Sequence, residues 1–253
     1  MREFVRHFVL PLAKKYRWRS LCEIGASMGQ STDWLLRFKD VSAYSIIDPC
    51  LDADLISKYA GDPRVKVYKG NSLDVLPNIR EVYDCILIDG DHNWYTVYNE
   101  LRLIRLRGLL SPGGMIFLHD VGWPFGRRDM YYQPETIPAE YRHPYLQKGI
   151  AKDSSDLQDS STMSSRYNNA TGAGGIKNGV LTAVEDFLRD YPGAYNFCRV
   201  RVGFGLGILQ YRQNRLAEDT AFTLVRCKAG IYSIFGIVRD HLPRSNSSSG
   251  TPN

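Results

Sequence analysis

Leu21-Cys22-Glu23-Ile24-Gly25-Ala26-Ser27-Met28-Gly29-Gln30-Ser31 is the stretch on which the reading of this chain turns. Its first four residues read as a strand. They stop at Gly25, which lacks a Cβ and can enter backbone angles closed to other residues. Ser31 to Phe38 then sets Trp34, Leu35 and Phe38 along one side of a helix. Strand, glycine turn and helix together form the opening unit of a parallel sheet, which takes ligands at the carboxyl ends of its strands.

The same alternation continues outward. Strand-like runs at Ala43–Asp48, Val65–Tyr68, Tyr83–Asp89 and Met115–His119 are separated by helical patterns at Leu51–Tyr59 and Tyr95–Leu106. The turn Ser111-Pro112-Gly113-Gly114 introduces the fifth strand. This order predicts an α/β fold, a sheet covered by helices on both faces. From Gly122 to about Asn178 the period is lost, and Asp153–Gly175 is rich in Ser, Asn, Asp and Gly. That segment reads as an irregular substrate or lid insertion, with 153–175 either a lid that orders on binding or plain disorder. Regular structure resumes with a helix at Val180–Leu188. Strands follow around Asn196–Val202 and Leu206–Tyr211, with Gly203 and Gly205 between them as a tight hairpin. A last helix runs from about Leu216 to Leu242. It is apolar enough for a homo-oligomer interface or a membrane-surface contact as well as for packing on the parent sheet. The expected organisation is one domain over residues 1–244, its insertion at about 122–178, and a disordered Ser-rich tail at 245–253.

Composition excludes several classes. A chain of 253 residues with 43% hydrophobic content can bury a sizeable core. The net charge of +5 is mild, and the clusters Lys14–Arg19 and Arg102–Arg107 read as helix ends and polar helix faces, too small for a nucleic-acid groove. None of the five cysteines forms a C-x-x-C pair, which argues against zinc and fits a reducing cytoplasm. The apolar segment Phe4–Leu12 is short, broken by charge and without a cleavage site, so it does not read as a signal peptide. No apolar run approaches the ~20 residues of a membrane span.

Residues at the strand ends suggest the ligand. Asp48, about 20 positions beyond the glycine turn, is placed to accept both hydroxyls of a ribose. Asn71-Ser72 follows the third strand and is placed for an adenine edge. An adenosine-bearing ligand follows. A dinucleotide needs G-x-G-x-x-G, but here Ser27 stands at the middle glycine position. Glu23, inside the strand, suits a ligand with an ammonium group and no diphosphate. S-adenosylmethionine fits that description, and Gly29 would let it approach the backbone closely.

Glu23-x-Gly25-x-x-x-Gly29-x-Ser31, Asp48, Asp89-Gly90-Asp91-His92 and Pro112-Gly113-Gly114, in that order, resemble a class I S-adenosylmethionine-dependent methyltransferase. The resemblance is closest to small-molecule O-methyltransferases of antibiotic, sugar and polysaccharide tailoring, and it extends to the helix Asn178–Leu188. It implies a Rossmann-like, seven-stranded, mostly parallel sheet whose last strand is antiparallel. It also implies cofactor contacts from Glu23, Gly25, Ser27, Gly29, Ser31, Asp48, Asn71, Ser72 and Asp89. In the resembled group a divalent ion is often held by an acid after strand four and two acids after strand five. Asp89 matches the first position and Asp120 one of the second pair, while His119 stands where an acid is expected. Magnesium prefers oxygen, and manganese tolerates imidazole better. His119 also serves as a candidate metal-free general base, with His92 and Asp91 as further candidates for base or ligand.

The resulting expectation is a cytoplasmic O-methyltransferase acting on a small-molecule or glycan hydroxyl, with Mg2+ or Mn2+ as a candidate aid. The rivals are an NAD(P)-dependent oxidoreductase on the same sheet, a non-catalytic S-adenosylmethionine-binding protein, and a nucleic-acid methyltransferase, for which the basic clusters are too small. Trp123 to Tyr132 and Ile137 to Arg142 set aromatic residues beside arginines, a composition suited to a ring with an anionic group.

Overall fold

The computed structural model describes residues 1–151, 154, 156–159, 162–212 and 220–241. Seven strands form one sheet: β1 (Ser20–Ile24), β2 (Ala43–Ile47), β3 (Val65–Tyr68), β4 (Tyr83–Ile88), β5 (Leu110–His119), β6 (Tyr195–Val200) and β7 (Leu206–Tyr211). Their order across the sheet is β6-β7-β5-β4-β1-β2-β3. β1 to β5 pair in parallel. β7 runs antiparallel to both β5 and β6, so the last strand alone is reversed. The chain order reverses between β1 and β4, and a crevice opens there at the carboxyl ends.

Alternation along the central strands builds two cores. Cys22 and Ile24, Ile86 and Ile88, and Ile116 and Leu118 face one side. There they meet Trp94, Val97, Leu101 and Ile104 of α4 (Trp94–Leu106) and Val184 and Phe187 of α5 (Val180–Asp190). Leu21, Cys85, Leu87, Met115 and Phe117 face the other. They are covered by Phe4, Phe8 and Leu12 of the N-terminal helix (α1, residues 2–16), by Leu35 of α2 (Gln30–Leu36), and by Phe222 and Val225 of α6 (Thr220–His241). The period of two in a strand and the apolar stripe of each helix make this arrangement self-consistent. α3 (Ala53–Ala60) begins at Asp52, whose side chain accepts from the Leu55 amide at 2.7 Å, an N-cap.

Two expectations are revised. Ser111 to Gly114 lies within β5, which begins at Leu110, and the register with β4 shifts between Tyr83 and Cys85. The insertion is not wholly irregular. Met130–Tyr131, Asn168–Ala170 and Tyr145–Leu146 form a small sheet, and Gly149–Ile150 pairs with Leu157–Gln158. Asp129 ties this insertion to the main domain. It is fully buried and accepts from the amides of Trp94 (2.7 Å) and Gly179 (2.6 Å) and from the Tyr131 hydroxyl (2.9 Å). α6 packs on the parent sheet through Phe222, Val225 and Ala229, while Leu224, Ile231 and Ile234 stay exposed. The tail 245–253 lies outside the described residues. No helix among the described residues is long and apolar enough to cross a membrane.

Candidate active site

The glycine turn is tight because three of its residues are left-handed: Gly25 at φ +84°, Ser27 at +49° and Gly29 at +71°. Only Ser27 carries a side chain, and two bonds from Asp48 hold that strained conformation in place. Asp48 Oδ2 accepts from the Ser27 amide at 2.8 Å, and Oδ1 accepts from the Cys50 amide at 2.7 Å. Gly25 is required sterically. A Cβ there would meet Gly90 Cα at 2.4 Å and the Asp89 carbonyl carbon at 2.5 Å. The first and fourth strand ends are thus pressed together, which brings the glycine turn beside Asp89-Gly90-Asp91.

A cavity of about 410 Å³ opens at this junction. Gly25, Ser27, Asp48, Asn71, Ser72 and Asp89, all singled out from the sequence, line it. Glu23, Gly29 and Ser31 do not line it, and each departure has a physical cause. Strand alternation puts Glu23 on the face of Leu21, opposite Ile24. There it is buried and accepts from Thr32 Oγ1 (2.5 Å) and Tyr44 OH (2.7 Å). Burial pushes its pKa up to about 7, against those two donors. The space beside Gly29 is filled by Tyr59, whose hydroxyl would lie 2.3 Å from an added Cβ. Ser31 is buried in the first turn of α2.

Ser72 has support from behind. Its hydroxyl donates to Glu100 Oε1 at 2.5 Å, and burial pushes Glu100 up to about 8. Asp91 does not cap α4 itself. Asn93 does so by accepting from the Thr96 amide, while Asp91 Oδ2 accepts from Asn93 Nδ2 (2.6 Å) and Thr96 Oγ1 (2.9 Å). Tyr132, Thr136 and Tyr167 of the insertion complete the wall. Sequence reasoning missed Thr136 and Tyr167, because nothing periodic marks them, while Tyr132 closes the aromatic–arginine stretch.

Beyond Asp89 the cavity ends at a cluster of charge. His119 Nδ1 lies 3.0 Å from Asp89 Oδ1 and 2.7 Å from Asp120 Oδ2. His92 Nδ1 lies 2.9 Å from the same Asp120 oxygen, and its Nε2 is 3.2 Å from Tyr132 OH. The His92 ring stacks on Phe125 at 5.2 Å. Burial opposes the charge on His119, but hydrogen bonds and charge from Asp120 and Asp89 outweigh it and push the pKa up to about 9. Without a cation the two carboxylates favour the protonated form of His119, which weighs against a role as metal-free base. Burial also works against the Asp120 carboxylate, yet His92 and His119 hold it well below the usual range. Asp120 itself sits at φ +61°, a conformation that this ring of bonds stabilises. One ligand atom from each of Asp89, His119 and Asp120 lies within 4.8 Å of the others. Two carboxylates and an imidazole that has given up its proton fit a divalent cation of the manganese kind. The amino group of Met1 lies 3.5 Å from Asp89 Oδ2.

A second cavity, about 580 Å³, begins at Val121 and Gly122, directly after Asp120. Trp123, Arg127 and Arg128 line it, so the aromatic–arginine stretch is divided. Part of it faces this cavity, Phe125 is buried against His92, and Tyr132 faces the first.

Residues 22–121 match a family model described as a methyltransferase domain. A methyltransferase of Podospora anserina, solved with SAH bound, aligns with a TM-score of 0.53 at 18% identity, over 81% of this chain and 77% of that one. An O-methyltransferase of Bacillus cereus in complex with SAH aligns with a TM-score of 0.48 at 18% identity, over 81% and 80%. The O-methyltransferase TomG of Streptomyces achromogenes, in complex with SAM, aligns with a TM-score of 0.47 at 16% identity, over 80% and 77%. No curated protein matches this chain.

Proposed function

We propose that this chain, whose residues 22–121 match a methyltransferase-domain model, moves the methyl group of S-adenosylmethionine to an acceptor hydroxyl. The observation that carries this reading is the first cavity. It joins the glycine turn, Asp48 and Ser72 on one side to Asp89 on the other. Asp48 and the turn are suited to the ribose, and Ser72, with Asn71 beside it, to the adenine. Glu23 acts from beneath the turn, through Thr32 and Tyr44, rather than by touching the ligand.

Methyl transfer is an in-line displacement, so the acceptor oxygen must be held against the methyl and must lose its proton. Of Asp89, His119 and Asp120, Asp89 alone lines the first cavity. Its carboxylate orients the hydroxyl and receives the proton, and the imidazolium of His119 balances the charge. His92 is a positioning residue that holds Asp120 and, through Nε2, Tyr132. A divalent cation would be held by Asp89, Asp120 and a deprotonated His119, in place of the imidazolium. When bound, it would supply Lewis acidity that lowers the acceptor's pKa. The acceptor is a small molecule or glycan hydroxyl, and the five free cysteines suit a reducing, cytoplasmic setting.

The test is thermal stabilisation by S-adenosylhomocysteine compared with NAD, followed by an acceptor screen that reads S-adenosylhomocysteine release with and without chelator. Stabilisation by NAD alone would overturn the reading. Loss of turnover with chelator, restored by Mn2+, would establish the cation. Asp89→Ala with undiminished turnover would remove its assigned role.

A further inference from the structure

The second cavity is walled by arginines from two distant parts of the chain. Arg127 and Arg128 come from the insertion, and Arg199 and Arg201 from the end of β6. Two of the four have evident structural work. Arg127 makes a fork onto Glu185 (2.6 and 2.7 Å) and a bond to Thr182. Arg128 is buried and donates to the carbonyls of Ala170 and Thr171. Arg199 and Arg201 differ. No carboxylate lies within 4.0 Å of either guanidinium among the described residues. Arg199 is half-buried, and Gly207 stands opposite it on β7. Burial and the like charges of Arg201 and Arg127 hold its guanidinium below the usual range, with Glu185 offsetting only part.

Arg199, half-buried and without a carboxylate partner among the described residues, and Arg201, exposed two residues on, bring like charges to one cavity, the character of a site that lacks its anion. The position of the cavity suggests where that anion belongs. Val121 and Gly122 follow Asp120 directly, and the Phe204 ring of the β6–β7 hairpin lies 6.0 Å from the His119 ring. The wall is rigid there. Gly122 donates to the Phe204 carbonyl at 2.6 Å, and a Cβ on Gly205 would meet the Gly122 nitrogen at 2.5 Å. The charged cluster therefore separates a cavity suited to the cofactor from one lined by cations.

We propose that Arg199 and Arg201, with Arg127 beside them, form an oxyanion subsite that holds a phosphate or carboxylate group of the methyl acceptor. This rests on the methyltransferase reading for what the anion is attached to, but not for the anion site itself. Trp123, 43% exposed on the same cavity, packs against the rest of the molecule that carries the anion. A guanidinium fork matches either oxyanion with two parallel bonds.

The test uses the full chain at fixed ionic strength. It titrates inorganic phosphate and, separately, acetate while following tryptophan fluorescence, with S-adenosylhomocysteine affinity measured in parallel. Saturable quenching by at least one probe is expected, absent in Trp123→Phe. Removing one charged donor pair should weaken it roughly tenfold or more in Arg199→Gln and in Arg201→Gln. S-adenosylhomocysteine affinity should be unchanged in both variants, which also shows that they fold. Arg199→Lys should fall between wild type and Arg199→Gln. The two probes distinguish a phosphorylated acceptor from a carboxylated one. Equal anion binding by wild type and Arg199→Gln, or no saturable response to either probe, overturns the subsite. A chain that binds phosphate but not S-adenosylhomocysteine keeps the subsite and loses the methyltransferase reading. The reverse result loses the subsite alone.

Discussion

Replacing Gly25 by alanine tests whether the glycine turn is built on the contact between the first and fourth strand ends. Two costs are separable. The residue stands at φ +84°, and a left-handed conformation costs an L-residue ~1–2 kcal/mol. The new methyl would also lie 2.4 Å from Gly90 Cα and 2.5 Å from the Asp89 carbonyl group. These are backbone atoms that cannot rotate away, so the strands must part, and overpacking of this kind costs ~1–3 kcal/mol. The sum is about 2–5 kcal/mol, or about 4–20 °C in Tm for a chain of this size. Gly108 supplies the control. It stands at φ +63° with nothing within 4 Å of an added Cβ, so Gly108→Ala carries the conformational cost alone. The two variants gain alike from a stiffer unfolded chain, so that effect cancels. Urea and thermal unfolding of both would measure the difference, and S-adenosylhomocysteine affinity should fall in Gly25→Ala only. If Gly25→Ala is no less stable than Gly108→Ala, the strand ends are not pressed together as described, and the geometry placing Asp89 beside the turn is wrong.

Further outcomes follow from the buried groups. Glu23, raised by burial to about 7, binds more protons folded than unfolded between the ordinary carboxyl range and neutrality. Its contribution to stability therefore declines as pH rises through that window and is level above it. Glu23→Gln keeps an acceptor for Thr32 and Tyr44 and should abolish the decline, which is on the order of 3 kcal/mol between pH 4.5 and 7. Parallel pH slopes for the two proteins would reject this. Glu100, raised by burial to about 8, behaves the same way over a wider window, so Glu100→Gln should match wild type in acid and exceed it in stability by pH 8. Ser72→Ala should weaken S-adenosylhomocysteine by roughly tenfold without shifting Tm by more than a few degrees, as calorimetry would show. Asp129→Ala orphans two buried amides and a buried hydroxyl, at about 3–5 kcal/mol. Proteolysis within residues 154–170 should accelerate, and an unchanged cleavage rate would show that Asp129 does not tether the insertion.

The sheet was legible because its rules are local. Apolar runs of strand length, separated by helical periods, force a parallel α/β layer, and each residue at a strand end lands at the crevice whatever the side chains do elsewhere. Gly25, Asp48 and Asp89 could be read for that reason. Glu23 is kept off the cavity by a local rule, since alternation sends it to the Leu21 face. Gly29 is kept off it by a contact that no pattern announces, Tyr59 arriving from 30 residues away.

The sequence alone determined the fold class, the strand ends that converge and the kind of ligand they suit, because these follow from period, turn and residue type. Only the tertiary structure decided which donors share one point in space. It set His119 between Asp89 and Asp120, whose carboxylates favour its protonated form. It also brought Arg199 and Arg201 from the last hairpin to face Arg127 across a cavity. Charge acts through distance and burial, and for residues far apart along the chain neither exists until the sheet has closed.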